Sequence, residues 1–165
     1  MKPSAHLHAQ APAGAPASPS INRLAAQATT HCLTGCAIGE VLGLVIAQAL
    51  GWTTEASIAL AVVLAYIFGY ALTLRPLLRS GLAVGAALGV AFAADTLSIT
   101  VMEIVDNAVI LLIPGAMDAG LTSLLFWGSL AFALGVAWIA AFPVNRWLLA
   151  HGLGHAKAMA HHAHH

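Results

Sequence analysis

Between Thr29 and Phe142 the chain presents four apolar stretches, each long enough to cross a bilayer, and two of them hold no charged residue at all. They run from Thr29 to Leu50, from Ser57 to Leu74, from Leu82 to Ile113 and from Ser123 to Phe142. A hydrocarbon core of ~30 Å takes ~20 mostly apolar residues per helix. Backbone polar groups in lipid must be satisfied within the segment, so segments of this kind are helical. Composition agrees. Only 7% of the 165 residues are charged and mean hydropathy is +0.88, whereas a soluble domain carries about 25% charged residues. The expected fold is all-α: a polytopic membrane protein of four transmembrane helices.

The third stretch is the unusual one. Leu82–Ile113 would measure ~48 Å as one helix, so it must tilt, project from the membrane or break. A span over residues 82–105 with an extension to 113 is expected, and the polar cluster Glu103-Asp106-Asn107 is the natural break. Irregular backbone inside a membrane is tolerated only where it is buried in protein or lines a wet cavity.

With four spans, the amino-terminal tail, the second loop and the carboxyl-terminal tail share one side. All the basic residues fall there: Lys2, Arg23, Arg75, Arg79, Arg146 and Lys157. The two opposite loops carry Glu55 and Asp118 instead. Positive residues mark the cytoplasmic face, so both ends are expected in the cytoplasm. Trp52, Trp127 and Trp147 fall near the expected interfaces, as aromatic belts do. Residues 1–26 are rich in Pro, Ala and Ser and lack a signal-peptide core, and read as a disordered cytoplasmic tail. Residues 27–150 form the four-helix domain, and residues 151–165 a second cytoplasmic tail, rich in histidine. A formal net charge of zero excludes the basic footprint of a nucleic-acid binder.

Into this apolar setting the segment HCLTGCAIGEVLG sets polar groups at helical spacing. Cys32, Cys36 and Glu40 are each four residues apart and share one helix face. Gly35, Gly39 and Gly43 form a second stripe beside them, and glycines at this period let another helix approach closely. The polar stripe should therefore face protein. On the third span Asp95, Met102 and Asp106 share a face, with Glu103 one residue off it. Counted from the cytoplasmic ends of their spans, Glu40 lies ~17 Å deep and Asp95 ~20 Å deep, so these two are expected to face each other. No basic residue lies in any span. Such carboxyls must be protonated, hydrated or metal-bound, and an ionisable residue in a span marks a functional site.

Thiols one turn apart have β-carbons ~5–6 Å apart, too far for an unstrained disulfide at ~3.8 Å. Two metal–sulfur bonds of ~2.3 Å span that gap. Soft thiolates select Cu(I) or Zn(II), and His31 at the helix mouth adds a third donor. The candidate metal residues are thus His31, Cys32, Cys36, Glu40, Asp95, Met102, Glu103 and Asp106, with Cu(I) favoured over Zn(II) and no nucleotide or haem expected. Met117 serves the outer end, and His161, His162, His164 and His165 suit metal capture in the cytoplasm.

The blocks HCLTGCAIGE, FAADTLSITVMEIVDNAVILLIPGAMDAGL, FWGSLAF and AAFPVNRWLLAHGLGHA together resemble a bacterial membrane family catalogued as a domain of unknown function, number 4396. The resemblance covers about residues 27–156. It implies a compact four-helix module in a bacterial inner membrane, often with a histidine-bearing carboxyl end, and it carries over no catalytic residue. The positions matching its blocks are His31, Cys32, Gly35, Cys36, Glu40, Asp95, Glu103, Asp106, Asn107, Pro114, Asp118, Asn145 and Arg146.

The residues therefore favour transition-metal handling or transport over an enzymatic role. Two other readings stay open. One is a non-catalytic assembly factor or subunit whose polar and glycine stripes bind a partner membrane protein or a second copy. The other is a thiol-redox protein using Cys32 and Cys36, against which the disulfide strain counts.

Overall fold

A computed structural model describes residues 20–152 as four α-helices: α1 (Ile21–Ala49), α2 (Thr54–Arg79), α3 (Val84–Leu112) and α4 (Leu124–Ala150). All four are long and apolar enough to cross a membrane. The helix ends are local chemistry. Ser20, Thr53 and Ser123 cap α1, α2 and α4, each side chain accepting a backbone N–H of the first turn. At the other ends, Gly51 and Gly81 take positive φ angles of 66° and 87°. Gly51 N–H then reaches the Gln48 carbonyl and Trp52 N–H that of Ala47, a pairing repeated at Gly81 and Leu82. These glycines turn the chain back on itself within residues 50–53 and 80–83.

Neighbouring helices run antiparallel around a square, with α1 touching α2 and α4, and α3 touching the same two. The register is read from small residues. Gly35, Gly39 and Gly43 of α1 lie against Gly69, Ala65 and Ala61 of α2, so partner numbers fall by four as α1 numbers rise by four. A methyl group on Gly35 or Gly43 would stand 2.5 Å from a backbone atom of α2. The glycine stripe is therefore consumed inside the chain and gives no support to docking of a partner helix. Tyr66 and Tyr70 of α2 bond Thr100 and Thr96 of α3, each at 2.7 Å. Arg146 Nε donates to Asn22 Oδ1 at 2.8 Å and brings the start of α1 to the end of α4.

The packing is inverted relative to a water-soluble bundle. Ala61, Ala65, Ala91, Ala133, Ala137 and Ala141 are buried, while Phe92, Ile104, Phe132 and Ile139 are each more than 60% exposed. Lipid is as apolar as these side chains, so burying them gains nothing, and close packing of small residues holds the helices together. Trp52, Trp127 and Trp147 are exposed near helix ends.

Three sequence expectations change. The third helix is long and unbroken: α3 continues through Glu103, Asp106 and Asn107, because these carboxyls turn inward and the Asn107 amide bonds the Glu103 carbonyl of its own helix at 2.9 Å. Helices α2 and α4 do not stop at Arg75-Pro76 and before Pro143; both continue past their prolines, to Arg79 and Ala150. One missing N–H is tolerated where neighbouring helices support the backbone. Finally, α1 begins at Ile21, so residues 21–26, assigned to the amino-terminal tail, are helical behind the Ser20 cap. Most of the histidine-rich tail, including His161, His162, His164 and His165, lies outside the described residues.

Candidate functional site

Helices α1 and α3 meet across the diagonal of the square, and the side chains they turn toward each other are thiols and carboxyls. The small residues of α2 and α4 on either side make that approach possible. Because α1 and α3 run parallel, the contacts climb both helices together. At the level nearest the chain ends, the Cys32 thiol donates to Asp95 Oδ1 at 3.7 Å. One turn on, Cys36 lies beside Glu103. A further turn on, Glu40 lies beside Asp106, with Glu103 near both. Each step of four residues advances about 6 Å, so the column extends over about 12 Å from Cys32 to Glu40.

All its members are buried: Cys32, Cys36, Glu40, Asp95, Met102, Glu103 and Asp106 are each at most 5% exposed. Glu103 is as internal as the Asp95-Met102-Asp106 stripe it was expected to miss. Met102 packs in one buried cluster with Cys32, Cys36 and Ile99, closed by Ala65, Ala137 and Ala141. Cys32 and Cys36 are free thiols.

Glu40 and Asp95 do not face each other. Asp95 meets Cys32, two turns below Glu40. The depth count failed because α1 starts eight residues before Thr29, which sets every α1 residue about two turns deeper and moves its partner on α3 further from the chain ends by as much.

The carboxyl oxygens are the energetic anomaly. Both oxygens of Glu103, both of Asp106 and Oε2 of Glu40 are buried without a hydrogen-bond donor. Two facing carboxylates offer each other only acceptors, so contact between Glu40 and Asp106 becomes a hydrogen bond only when one carries a proton. Uncompensated charge is prohibitive here. The column therefore has places for positive charge, as protons or as a cation, that no side chain of the spans fills.

His31 stands at the edge of the column nearest the chain ends. It is half-buried, with Nε2 3.2 Å from Thr73 Oγ1, and Thr73 also approaches Asp95. At the level of Cys32 and Asp95 a neutral polar clamp ties three helices together. The Asn145 amide donates to Thr29 Oγ1 and to Ser98 Oγ, both at 2.9 Å, joining α1, α3 and α4. Thr29, Thr73 and Ser98 escaped the sequence reading because neutral polar residues in a span carry no alarm, although Thr29 continues the Cys32–Cys36–Glu40 stripe. Asn145 was named only as a position of the family blocks and not as a polar group of a span, because it lies beyond Pro143, where the span was expected to end.

Among the described residues no three His, Cys, Asp or Glu side chains converge to hold one metal ion. The expected ligands form stacked pairs instead of a single centre. What the pairs offer is two sulfurs one turn apart, a thioether beside them, and a carboxyl next to each thiol. Sulfur donors of this kind are soft ligands, and a thiol beside a carboxyl can exchange a proton with it.

Compared with known proteins, residues 22–154 match the family described as "Domain of unknown function (DUF4396)". No curated protein and no solved structure matches the chain.

Proposed function

Since the chain belongs to the DUF4396 family, whose description names no activity, its function has to come from the column, and we propose that it is an integral membrane protein that binds and moves a soft monovalent metal ion of the Cu(I) class. It sits in a bacterial cytoplasmic membrane with both ends in the cytoplasm, the side of its basic residues. The observation that carries the reading is Cys32 and Cys36 buried one turn apart, packed with Met102, each beside a carboxyl.

Thiolate and thioether sulfur select Cu(I). Zn(II) wants four donors in a tetrahedron, more than converge here. Thiols must lose protons to bind a metal, and Asp95 and Glu103 stand next to Cys32 and Cys36 as the bases that take them. Two thiols release two protons for one monovalent ion, so the charge of the dry column is unchanged when one proton stays on a carboxyl and the other leaves. Glu40 and Asp106, deeper in, extend the acceptors along the bundle.

The test is metal content. Protein purified in detergent, with the histidines of its carboxyl-terminal tail replaced by alanine, is loaded with Cu(I) under reducing conditions and analysed by mass spectrometry. One cysteine-dependent equivalent is expected, lost on Cys32→Ser or Cys36→Ser. Metal content indifferent to both substitutions refutes the reading.

A further inference from the structure

We propose that the cavity at the end of the bundle away from the chain termini is a second, outer capture site for a soft monovalent metal ion, and the mouth of the α1–α3 column. This inference rests on the reading above and adds to it a separate site and a side of access.

The cavity encloses about 270 Å³ between the α1–α2 turn and the α3–α4 loop. It is in line with the column. On α1 the stripe Cys32, Cys36, Glu40 continues by fours to Leu44 and Gln48, and the last two line the cavity. Glu40 thus lies one turn, about 6 Å, beneath Leu44. Leu44 and Phe126 form the floor, and both belong to an apolar cluster with Ile110 and Leu130. That layer separates the cavity from the Glu40–Asp106 pair, so the structure has a polar vestibule, an apolar seal and a polar column in sequence along one helix face.

Charge favours cations at this end. Among the described residues Arg23, Arg75, Arg79 and Arg146 all lie toward the chain termini, whereas Asp118 lines the cavity and Glu55 opens α2 next to it. The field of such an end raises the local concentration of positive ions. The donors then choose among them. The Met117 thioether is a soft ligand, the adjacent Asp118 carboxylate supplies the counter-charge, and the Gln48 amide oxygen is a further donor. A thioether and a single exposed carboxylate bind less tightly than two buried thiolates, which suits capture followed by transfer inward.

Trp52 also lines the cavity and reports on it. The experiment titrates full-length protein in lipid nanodiscs with Ag(I), a stable soft monovalent ion, and takes the fluorescence quenching present in the wild type and absent in Trp52→Phe. Expected is saturable quenching whose midpoint rises about 10–100-fold in Met117→Leu and in Asp118→Asn, the usual cost of losing a ligand or its support. The midpoint should not move in Cys32→Ser/Cys36→Ser, and circular dichroism checks that each variant keeps its helices. Quenching indifferent to both vestibule substitutions, quenching abolished by the cysteine substitutions, or quenching by tetramethylammonium in place of Ag(I) overturns the inference. Total bound Ag(I) unchanged by the cysteine substitutions, with the Trp52 signal intact, overturns the column reading alone.

Discussion

Glu40 of α1 and Asp106 of α3 face each other inside the bundle, 3% and 2% exposed, with three of their four oxygens buried and lacking any hydrogen-bond donor. Acids placed this way are costly to the fold, so their contribution lies in what visits them. The measurable consequences separate that role from simple packing.

Glu40→Gln and Asp106→Asn keep the shape of each side chain and add an amide that donates to the facing carboxyl. Neither substitution should reduce thermal stability in detergent, and a gain of about 1 kcal/mol is expected, the worth of a hydrogen bond that needs no borrowed proton. Metal flux into proteoliposomes should fall while Cu(I) content at the cysteines persists. A large loss of stability would mean that the acid pair is a structural contact.

Gly39→Ala puts a methyl group into the backbone of α2 at Ala65. Overpacking of this kind costs about 1–3 kcal/mol, read as a lower unfolding midpoint in a mixed-detergent titration. Gly89→Ala is the control, since nothing stands within 4 Å of a methyl group there; it should be neutral or stabilising by about 0.5–1 kcal/mol, as alanine is in an exposed helix interior.

Asn145→Ala removes the donor that joins Thr29 to Ser98. Hydrogen bonds between membrane helices are worth about 0.6–1.7 kcal/mol each, so a loss of about 1–3 kcal/mol is expected in the same titration. Asn145→Asp, which replaces the shared NH₂ group with an acceptor, should cost more. Equal stability of Asn145→Ala and wild type would show that the clamp carries no weight.

Cys32 and Cys36 are 2% and 1% exposed. Membrane-permeant maleimide should leave both unmodified in the folded protein and modify both after denaturation, counted by intact mass. Rapid labelling of either residue in the native state would mean that the column opens to solvent far more readily than its packing suggests.

Read alone, the sequence determined the four spans, the inward-facing stripe on α1 and the acidic face on α3. Those properties are local: a hydropathy run and a helical period belong to one segment each, and membrane backbone has few conformations to choose from. The sequence also announced the close helix contact through Gly35, Gly39 and Gly43, though not that its partner is Ala65 and its neighbours on α2. The helix ends were less legible, because Pro76 and Pro143 stop helices in water but not where a bundle supports them.

Tertiary structure decided the pairing. Which carboxyl meets which thiol depends on the axial offset between α1 and α3, and that offset is set by where helices start and how α2 and α4 wedge between them. A start moved from Thr29 to Ile21 was enough to give Asp95 to Cys32 and Asp106 to Glu40. The recruitment of Asn145, Thr29 and Ser98 into one clamp, and the alignment of Leu44 and Gln48 beneath the α3–α4 loop, likewise exist only once the helices are packed, since contacts between distant segments leave no periodic trace in either segment.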